Sequence, residues 1–136
     1  MHAVETAGYE KPAIFISETD YDIIADLALR AKRGAPAVSE LLMAEIERAV
    51  ITPPATLPGD VVALGSEVEF EDESSGARRR VRLVLPADAD IESGMISILT
   101  PIGAGLIGMR VDARISWPCR DGRMRLLKIL EVNQAQ

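Results

Sequence analysis

The spacing of apolar residues changes from a helical to a strand period at one proline-rich segment, and this change most constrains the fold. Before the segment, Ile24, Leu27, Ala28 and Ala31 recur at the spacing of one helical face. After it, apolar residues alternate with charged ones. The segment itself, residues 52–60, contains three prolines and can neither continue a helix nor donate regularly to a sheet. The pattern predicts a helical part, a linker over 52–60, and a sheet-based part.

The helical part is predicted to be an antiparallel hairpin over residues 14–51, after a flexible N-terminus over 1–13. Ser17 and Thr19 are both candidate caps for the first helix, which should end near Arg33. The second apolar stripe is interrupted by Glu45, which we expect at the edge of the solvated face. Each helix should span about 15 residues, or about 22 Å.

Charged residues predict how the first two strands of the second part pair. Glutamates alternate with Val68 and Phe70, and arginines alternate with Val81 and Leu83, on either side of a Ser-Ser-Gly turn. An antiparallel register that sets residue 71 opposite 78, 69 opposite 80 and 67 opposite 82 places every glutamate against an arginine. The pattern therefore favours a neutralised sheet face over an RNA-binding patch. A last hairpin is predicted to turn at Asp121-Gly122.

Gly103, Gly105 and Gly108 form the spacing G-x-G-x-x-G, which is typical of dinucleotide-binding loops. That motif needs a full crossover helix before the next strand, in a unit of roughly 30 residues. Here the next strand-like run begins at Val111, so no such helix fits. We interpret the segment instead as one short helix that begins at Pro101 and is stopped by Gly108.

Composition excludes several classes of chemistry. Cys119 is the only cysteine and His2 the only histidine, so neither a disulfide, a thiolate zinc site nor a histidine-based triad can be built within the chain. We expect no catalytic residue, cofactor or metal. No apolar run approaches the length of a membrane span and no signal peptide is recognisable, so a cytoplasmic location is expected.

The distribution of charge points to a protein partner. The net charge of −6 disfavours sequence-specific nucleic-acid binding as the main function. Residues 1–59 carry 5 basic and 9 acidic side chains, whereas residues 77–136 carry 10 basic and 6 acidic ones. Arginine dominates the second set, and its planar guanidinium suits binding to carboxylates as well as to phosphate.

Several short segments follow one another between Val61 and Val132: Leu64-Gly65-Ser66, Leu83-Val84, Thr100-Pro101-Ile102-Gly103, Leu106-Ile107-Gly108 and Lys128-Ile129-Leu130. In these segments the sequence resembles the C-terminal domain of the Gre-type transcript-cleavage factors. A second set extends to the N-terminal half: Ile16-Ser17-Glu18, Pro53-Pro54, Asp60-Val61-Val62, Pro86-Ala87-Asp88, Pro101-Ile102-Gly103, Gly108-Met109-Arg110-Val111 and Trp117-Pro118. In this set the chain is more similar still to the family of the regulator of nucleoside diphosphate kinase, a short relative of those factors.

The resemblance implies an α+β fold. A short N-terminal helical hairpin, a short coiled coil, would precede a C-terminal domain over residues 61–133 like that of the FK506-binding proteins, in which an antiparallel sheet is wrapped around one short helix. It also implies transcription regulation without enzymatic activity, by binding RNA polymerase near its secondary channel. The residues carried over as partner contacts are Leu99, Thr100, Pro101 and Ile102, called the shoulder below. Leu99 departs from the polar or acidic residue common in the cleavage factors.

The hairpin tip departs more strongly from the cleavage factors, which present paired carboxylates at the end of a long coiled coil. Here the tip is Lys32-Arg33-Gly34 and contains no carboxylate. Basic side chains repel the metal ion that such carboxylates help to hold. We therefore expect no stimulation of transcript cleavage.

Two other functions stay open at this stage. The implied fold also occurs in peptidyl-prolyl isomerases and in general protein-binding modules, but Phe70 and Trp117 are the only aromatic residues after the linker, and an isomerase pocket needs more. The family name suggests a phosphotransfer enzyme, which would need a well-positioned histidine, and His2 is a poor candidate. An indirect effect on nucleoside diphosphate kinase is favoured.

Overall fold

Two helices form an antiparallel pair whose ends are joined by a two-stranded parallel sheet. The computed structural model describes residues 11–118 and 122–134. Strand β1 precedes the first helix, strand β2 follows the second, and the two strands pair from Phe15 opposite Val50 to Ser17 opposite Thr52. The elements of this part are β1 (Phe15–Ser17), α1 (Glu18–Arg30), α2 (Pro36–Glu47) and β2 (Val50–Thr52).

Both helices are shorter than the sequence predicts, with 13 and 12 residues. Ser17 caps α1 by accepting a hydrogen bond from the Asp20 amide at 3.1 Å. Helix α1 ends at Arg30 rather than near Arg33, because the amides of Ala31 and Lys32 close the last turn and the chain then turns towards α2. The hydroxyl of Ser39 donates to the buried carbonyl of Ala28 at 2.7 Å and joins the two helices.

The second part is a curled five-stranded sheet with one short helix. Its strands are β3 (Glu67–Asp72), β4 (Ala77–Val84), β5 (Met95–Ser97), β6 (Arg114–Pro118) and β7 (Met124–Asn133), and its helix is α3 (Pro101–Leu106). The spatial order is β5-β4-β3-β7-β6. Three short 3₁₀ turns connect the elements, at Pro54–Thr56, Pro86–Asp88 and Ile91–Ser93.

The predicted register of the first strand pair is confirmed. Glu71 lies opposite Arg78, Glu69 opposite Arg80 and Glu67 opposite Arg82. The mixed α+β fold, with a helical N-terminal part followed by a curled sheet, is also as predicted. The last strand pair, β6 with β7, is antiparallel as expected, while residues 119–121 of its turn, including Cys119 and Asp121, lie outside the described residues.

Three features of the sheets differ from the prediction. The pair β1–β2 is absent from the prediction, because strands of three residues carry no alternating pattern to read. Strand β5 is likewise unpredicted, and it pairs with β4 in parallel, so the main sheet is not wholly antiparallel. The chain reaches β5 through the turns at Pro86–Asp88 and Ile91–Ser93, and β5 then runs in the same direction as β4.

One apolar core runs through both parts of the molecule. Ile14, Ile24 and Leu42 from the N-terminal part are fully buried in the same cluster as Leu83 and Ile129 from the sheet. The amide of Phe15 donates to the carbonyl of Gly108 at 3.0 Å and ties the chain before α1 to the end of α3. The helical pair is therefore packed against the sheet, while the exact domain boundaries at 13/14, 51/52 and 60/61 stay predictions.

Glu45 corrects the expected solvated face of α2. Its side chain is only 1% exposed, and its carboxylate binds Lys11 Nζ at 2.9 Å and Arg48 Nη2 at 2.7 Å. Arg48 also donates to the carbonyl of Pro12. The segment before β1 covers this part of α2, and a helical period cannot reveal that cover. Residues 1–10, including His2, lie outside the described residues.

No helix among residues 11–118 and 122–134 combines the length and the apolar character needed to span a membrane.

Candidate docking site at the start of the short helix

Thr100 and Ser97 fix the backbone of the shoulder. The Thr100 hydroxyl accepts a hydrogen bond from the Gly103 amide at 3.1 Å and donates to the Ser97 carbonyl at 2.7 Å. The Leu99 amide donates to the Ser97 hydroxyl at 2.9 Å. Pro101 occupies the first turn of α3, where no amide hydrogen is needed. The sequence Ser-x-x-Thr-Pro therefore builds a pre-formed turn in front of the helix.

The three glycines of the G-x-G-x-x-G spacing are packing positions. A Cβ at Gly103 would collide with the Ser97 carbonyl oxygen and lie 2.9 Å from the Ile98 Cα, and one at Gly105 would lie 2.9 Å from the Trp117 indole. Gly108 has a φ of +79°, which ends the helix. The glycines let the helix approach the sheet closely.

Trp117 holds the start of α3 from its buried side. It is fully buried, and its indole Nε1 donates to the Pro101 carbonyl. The ammonium group of Lys11 lies 5.0 Å from the ring centroid. Trp117 therefore supports the shoulder and does not itself form an exposed binding surface.

The four shoulder residues are all partly exposed, but they face two different sides. Leu99 lines an open groove of about 450 Å³ between α1 and the segment 85–87. Thr100, Pro101 and Ile102 line a second, larger space of about 530 Å³ on the side of the sheet that packs against α3. We call the larger space the inner-face cavity. The structure thus brings three of the four predicted residues to one site and turns the fourth towards the hairpin.

The inner-face cavity is mainly apolar, with charged groups at its edge. Asp72 and Arg125 pair at 2.9 Å, and the guanidinium of Arg79 lies 5.8 Å from the centroid of the Phe70 ring. Phe70 is the only aromatic residue that the described part of the chain contributes to the lining. The apolar lining also includes Ala77, Ala89, Ile91, Ile96 and Leu127.

The sequence reasoning did not single out Arg79. The alternation of β4 contains the signal, because a residue between two outward-facing arginines must face inward. It was obscured by the run of three arginines, which suggests one continuous basic patch.

The outer face of the same sheet is neutralised by ion pairs. Arg80 binds Glu69 at 3.1 Å and Glu131 at 3.0 Å, and Arg78 lies 3.7 Å from Glu71. The hydrogen bond from Arg80 lowers the pKa of the Glu131 carboxyl below its usual range, and the same bond raises the pKa of the guanidinium. These arginines are therefore occupied by carboxylates of the chain itself.

The hairpin tip is exposed and basic. Lys32, Arg33 and Gly34 lie in the turn between α1 and α2, and all three are exposed. Within the described residues, neither Lys32 nor Arg33 forms an ion pair with a carboxylate. The turn therefore carries a positive charge that no carboxylate of the described residues neutralises by an ion pair.

Two family models match the chain, one in each half. Residues 12–51 match the model described as the Rnk N-terminus. Residues 57–134 match the model described as the C-terminal part of the transcription elongation factors GreA and GreB. The second match alone covers more than half of the chain and includes the shoulder and the inner-face cavity.

Similar proteins carry the names of regulators and factors. The regulator of nucleoside diphosphate kinase from Escherichia coli K12 is 36% identical over 124 residues, which cover 90% of each chain. The transcription inhibitor protein Gfh1 from Thermus aquaticus is 38% identical over 113 residues, covering 79% of this chain and 69% of the relative. A solved structure of a GreA/GreB elongation factor from Nitrosomonas europaea superposes with a TM-score of 0.70 at 35% identity, covering 90% of this chain and 99% of that one.

These matches extend across both the helical pair and the sheet, and they agree with the fold described above. They support a transcription-factor-like regulator. The chain belongs to the family of the regulator of nucleoside diphosphate kinase, whose C-terminal part is shared with the GreA/GreB transcription elongation factors.

Proposed function

We propose that this protein regulates transcription by binding RNA polymerase near its secondary channel, through the shoulder and the adjoining inner-face cavity. It acts as a non-enzymatic binding protein and does not stimulate transcript cleavage. The observation that carries the proposal is the pre-formed shoulder beside an apolar cavity, in a chain whose family contains transcription factors.

The geometry of the shoulder supports a binding role. Its backbone is held by Ser97, Thr100 and the indole of Trp117, so little conformational entropy is lost when a partner binds. Pro101 and Ile102 remain partly exposed at the cavity edge. A rigid apolar surface next to a concave space is typical of protein-recognition sites.

The hairpin supports the absence of cleavage stimulation. Helix α1 has 13 residues, a length of about 20 Å, at 1.5 Å per residue. A short hairpin has limited reach into a channel, and its tip offers two cations where a metal-binding tip needs carboxylates. Reach and charge are therefore two separate reasons for the expected lack of activity.

Prolyl isomerase activity is not favoured. Phe70 is the only aromatic residue of the cavity lining among the described residues, and Trp117 is buried beneath α3. The cavity size and apolar lining favour the other open alternative, a protein-binding module, which agrees with the proposed function.

Binding of core RNA polymerase tests the docking site. We expect purified wild-type protein to be retained by immobilised core polymerase, and Ile102→Asp to lose at least about tenfold in affinity, which corresponds to about 1.4 kcal/mol. Ile51→Asp is the matched control, because Ile51 is 40% exposed on β2 and does not line the cavity. Pro101→Ala is a milder change at the shoulder, and we expect it to lower the affinity for core polymerase less than Ile102→Asp does.

Circular dichroism and thermal unfolding must show that all three variants are folded. Equal binding by wild type, Ile102→Asp and Pro101→Ala would contradict the site. Absence of binding by the wild-type protein would contradict the proposed partner.

A cleavage assay on a stalled elongation complex distinguishes the effect of the short hairpin from the effect of the basic charge at its tip. We expect no acceleration of cleavage by the wild-type protein, nor by the double variant Lys32→Asp, Arg33→Asp, because the short hairpin still fails to present its tip at the active site. A gain of cleavage in the double variant would show that charge alone is limiting. Acceleration by the wild type would refute this part of the proposal.

A further inference from the structure

The three consecutive arginines of β4 have different surroundings. Arg78 and Arg80 point to the outer face and pair with glutamates. Arg79 points to the inner face, directly across the strand pair from Phe70. Its guanidinium lies over the Phe70 ring, and no carboxylate of the described residues pairs with it. It is therefore an exposed cation at the edge of an apolar cavity.

Three charged side chains line the inner-face cavity, namely Asp72, Arg79 and Arg125. Asp72 and Arg125 pair at 2.9 Å, so Arg79 is the lining cation that has no carboxylate partner among the described residues. A carboxylate is the complementary group, since a guanidinium donates two parallel hydrogen bonds to it.

The strand that carries Arg79 has an open edge beside the cavity. Strand β5 pairs with β4 only from Arg82 to Val84. Residues 77–81 of β4 therefore have β3 on one side and, within the described residues, no strand on the other. An extended chain can add to such an edge through backbone hydrogen bonds and direct alternate side chains to one face.

We propose that the inner-face cavity binds an extended segment of a protein partner in which an apolar side chain is next to a carboxylate. The apolar side chain fills the space bounded by Ile96, Ile102 and Leu127, and the carboxylate pairs with Arg79. Arg79 is then the residue that selects for an acidic partner. The inference rests on the proposed function for the location of the site and adds the chemistry of the segment that is recognised.

Selection from a random library tests this chemistry without assuming a partner sequence. Random seven-residue peptides displayed on phage are selected against the immobilised full chain and, in parallel, against Arg79→Gln and Arg78→Gln. Arg78 is the matched control, because it is the neighbouring exposed arginine on the opposite face. We expect wild type and Arg78→Gln to enrich peptides with aspartate or glutamate beside leucine, isoleucine or phenylalanine.

The affinities of synthetic versions of the selected peptides are then measured by fluorescence anisotropy. Replacing the acidic residue of the peptide by its amide should weaken binding to the wild type about tenfold, or about 1.4 kcal/mol. The same replacement should have little effect on binding to Arg79→Gln. Selection of no peptide above background, or an equal acidic preference in Arg79→Gln, would overturn the inference. Selection of helical peptides whose binding does not depend on Arg79 would overturn it as well.

A pull-down of core RNA polymerase with the same variants distinguishes this failure from that of the proposed function. If the wild type binds polymerase and Arg79→Gln binds it equally, the proposed function stands and this inference fails. If peptides are selected with an Arg79-dependent acidic preference but polymerase is not bound, the cavity chemistry stands and the partner is another protein.

Discussion

Helix α3 and the helical hairpin both pack against the sheet, but they are held by different forces. Under α3 the contacts are apolar and so close that Gly103 and Gly105 have no room for a Cβ. Under the hairpin the apolar contacts are supplemented by ion pairs of the buried Glu45 carboxylate with Lys11 and Arg48.

The two kinds of contact are disrupted by different substitutions. A close apolar contact is lost when volume is added, because protein interiors are packed to crystal density and the backbone must move. A charged contact is lost when one partner is neutralised, because the remaining group stays desolvated without compensation. The shoulder is attached to the first kind of contact and the basic tip to the second, so the two can be perturbed separately.

The largest effect is expected at Gly103. A Cβ there would collide with backbone atoms of Ser97 and Ile98, which cannot move aside as a flexible side chain can. We expect Gly103→Ala to destabilise the protein by about 3 kcal/mol or more, measured by urea unfolding. Gly34→Ala is the control, because nothing lies within 4 Å of a Cβ at that position. Similar stabilities for the two variants would contradict the close-packing account of α3.

A smaller loss is expected at Glu45. Glu45→Gln keeps the size of the side chain but removes the charge that Lys11 and Arg48 share. We expect a loss of about 2 kcal/mol, in the range for hydrogen bonds to charged groups, and weaker protection of the α2 amides in hydrogen exchange. Glu47→Gln, on the same helix but exposed, should change stability little. Equal effects of the two changes would place Glu45 outside the stabilising contacts of the hairpin.

The smallest effect is a pH dependence at Asp20. Burial raises the pKa of this carboxyl above 3.8, although the hydrogen bond from the Leu64 amide acts in the opposite direction. The contribution of Asp20 to stability is therefore fully present when the pH is below about 3.8, the ordinary pKa of this group. It is lost as the pH rises through the raised pKa of the folded state.

Asp20→Asn tests this sign, because the amide oxygen can still accept from Leu64 but no longer titrates. We expect the stability of Asp20→Asn relative to wild type to increase as the pH is raised from about 3.8 towards neutrality. Asp22→Asn removes an exposed carboxylate from the same end of α1 and serves as the control. Parallel pH profiles of the two variants would contradict the assignment to burial.

Much of the fold is readable from the sequence because it depends on local period and on charge pairing. The register of β3 and β4 follows from the alternation of glutamates and arginines together with the short Ser-Ser-Gly turn, which sets three glutamates opposite three arginines. The short helix follows from Thr100 and Pro101 at its start and Gly108 at its end. The same signals identify the shoulder as one continuous turn.

The direction in which an individual side chain points is harder to predict from the sequence. The shoulder residues are adjacent in sequence, yet Leu99 faces the hairpin groove and Ile102 faces the inner-face cavity. Glu45 looks like a surface residue in a helical projection, because the projection does not include the segment that covers it. The strands β1, β2 and β5 contain three residues each, too few to show a period.

The sequence by itself determined the order of the helices and of the longer strands, the charge pairing of the outer sheet face, the short helix with its glycines, and the basic tip. Each of these depends on residues that are close along the chain or that alternate with a fixed period. Only the tertiary structure decided that Glu45 is buried, that Arg79 lies over Phe70 beside an apolar cavity, and that residues 77–81 of β4 have, within the described part of the chain, no strand on one side. These features arise where segments distant in sequence meet, and no local pattern records which segment will cover a given side chain.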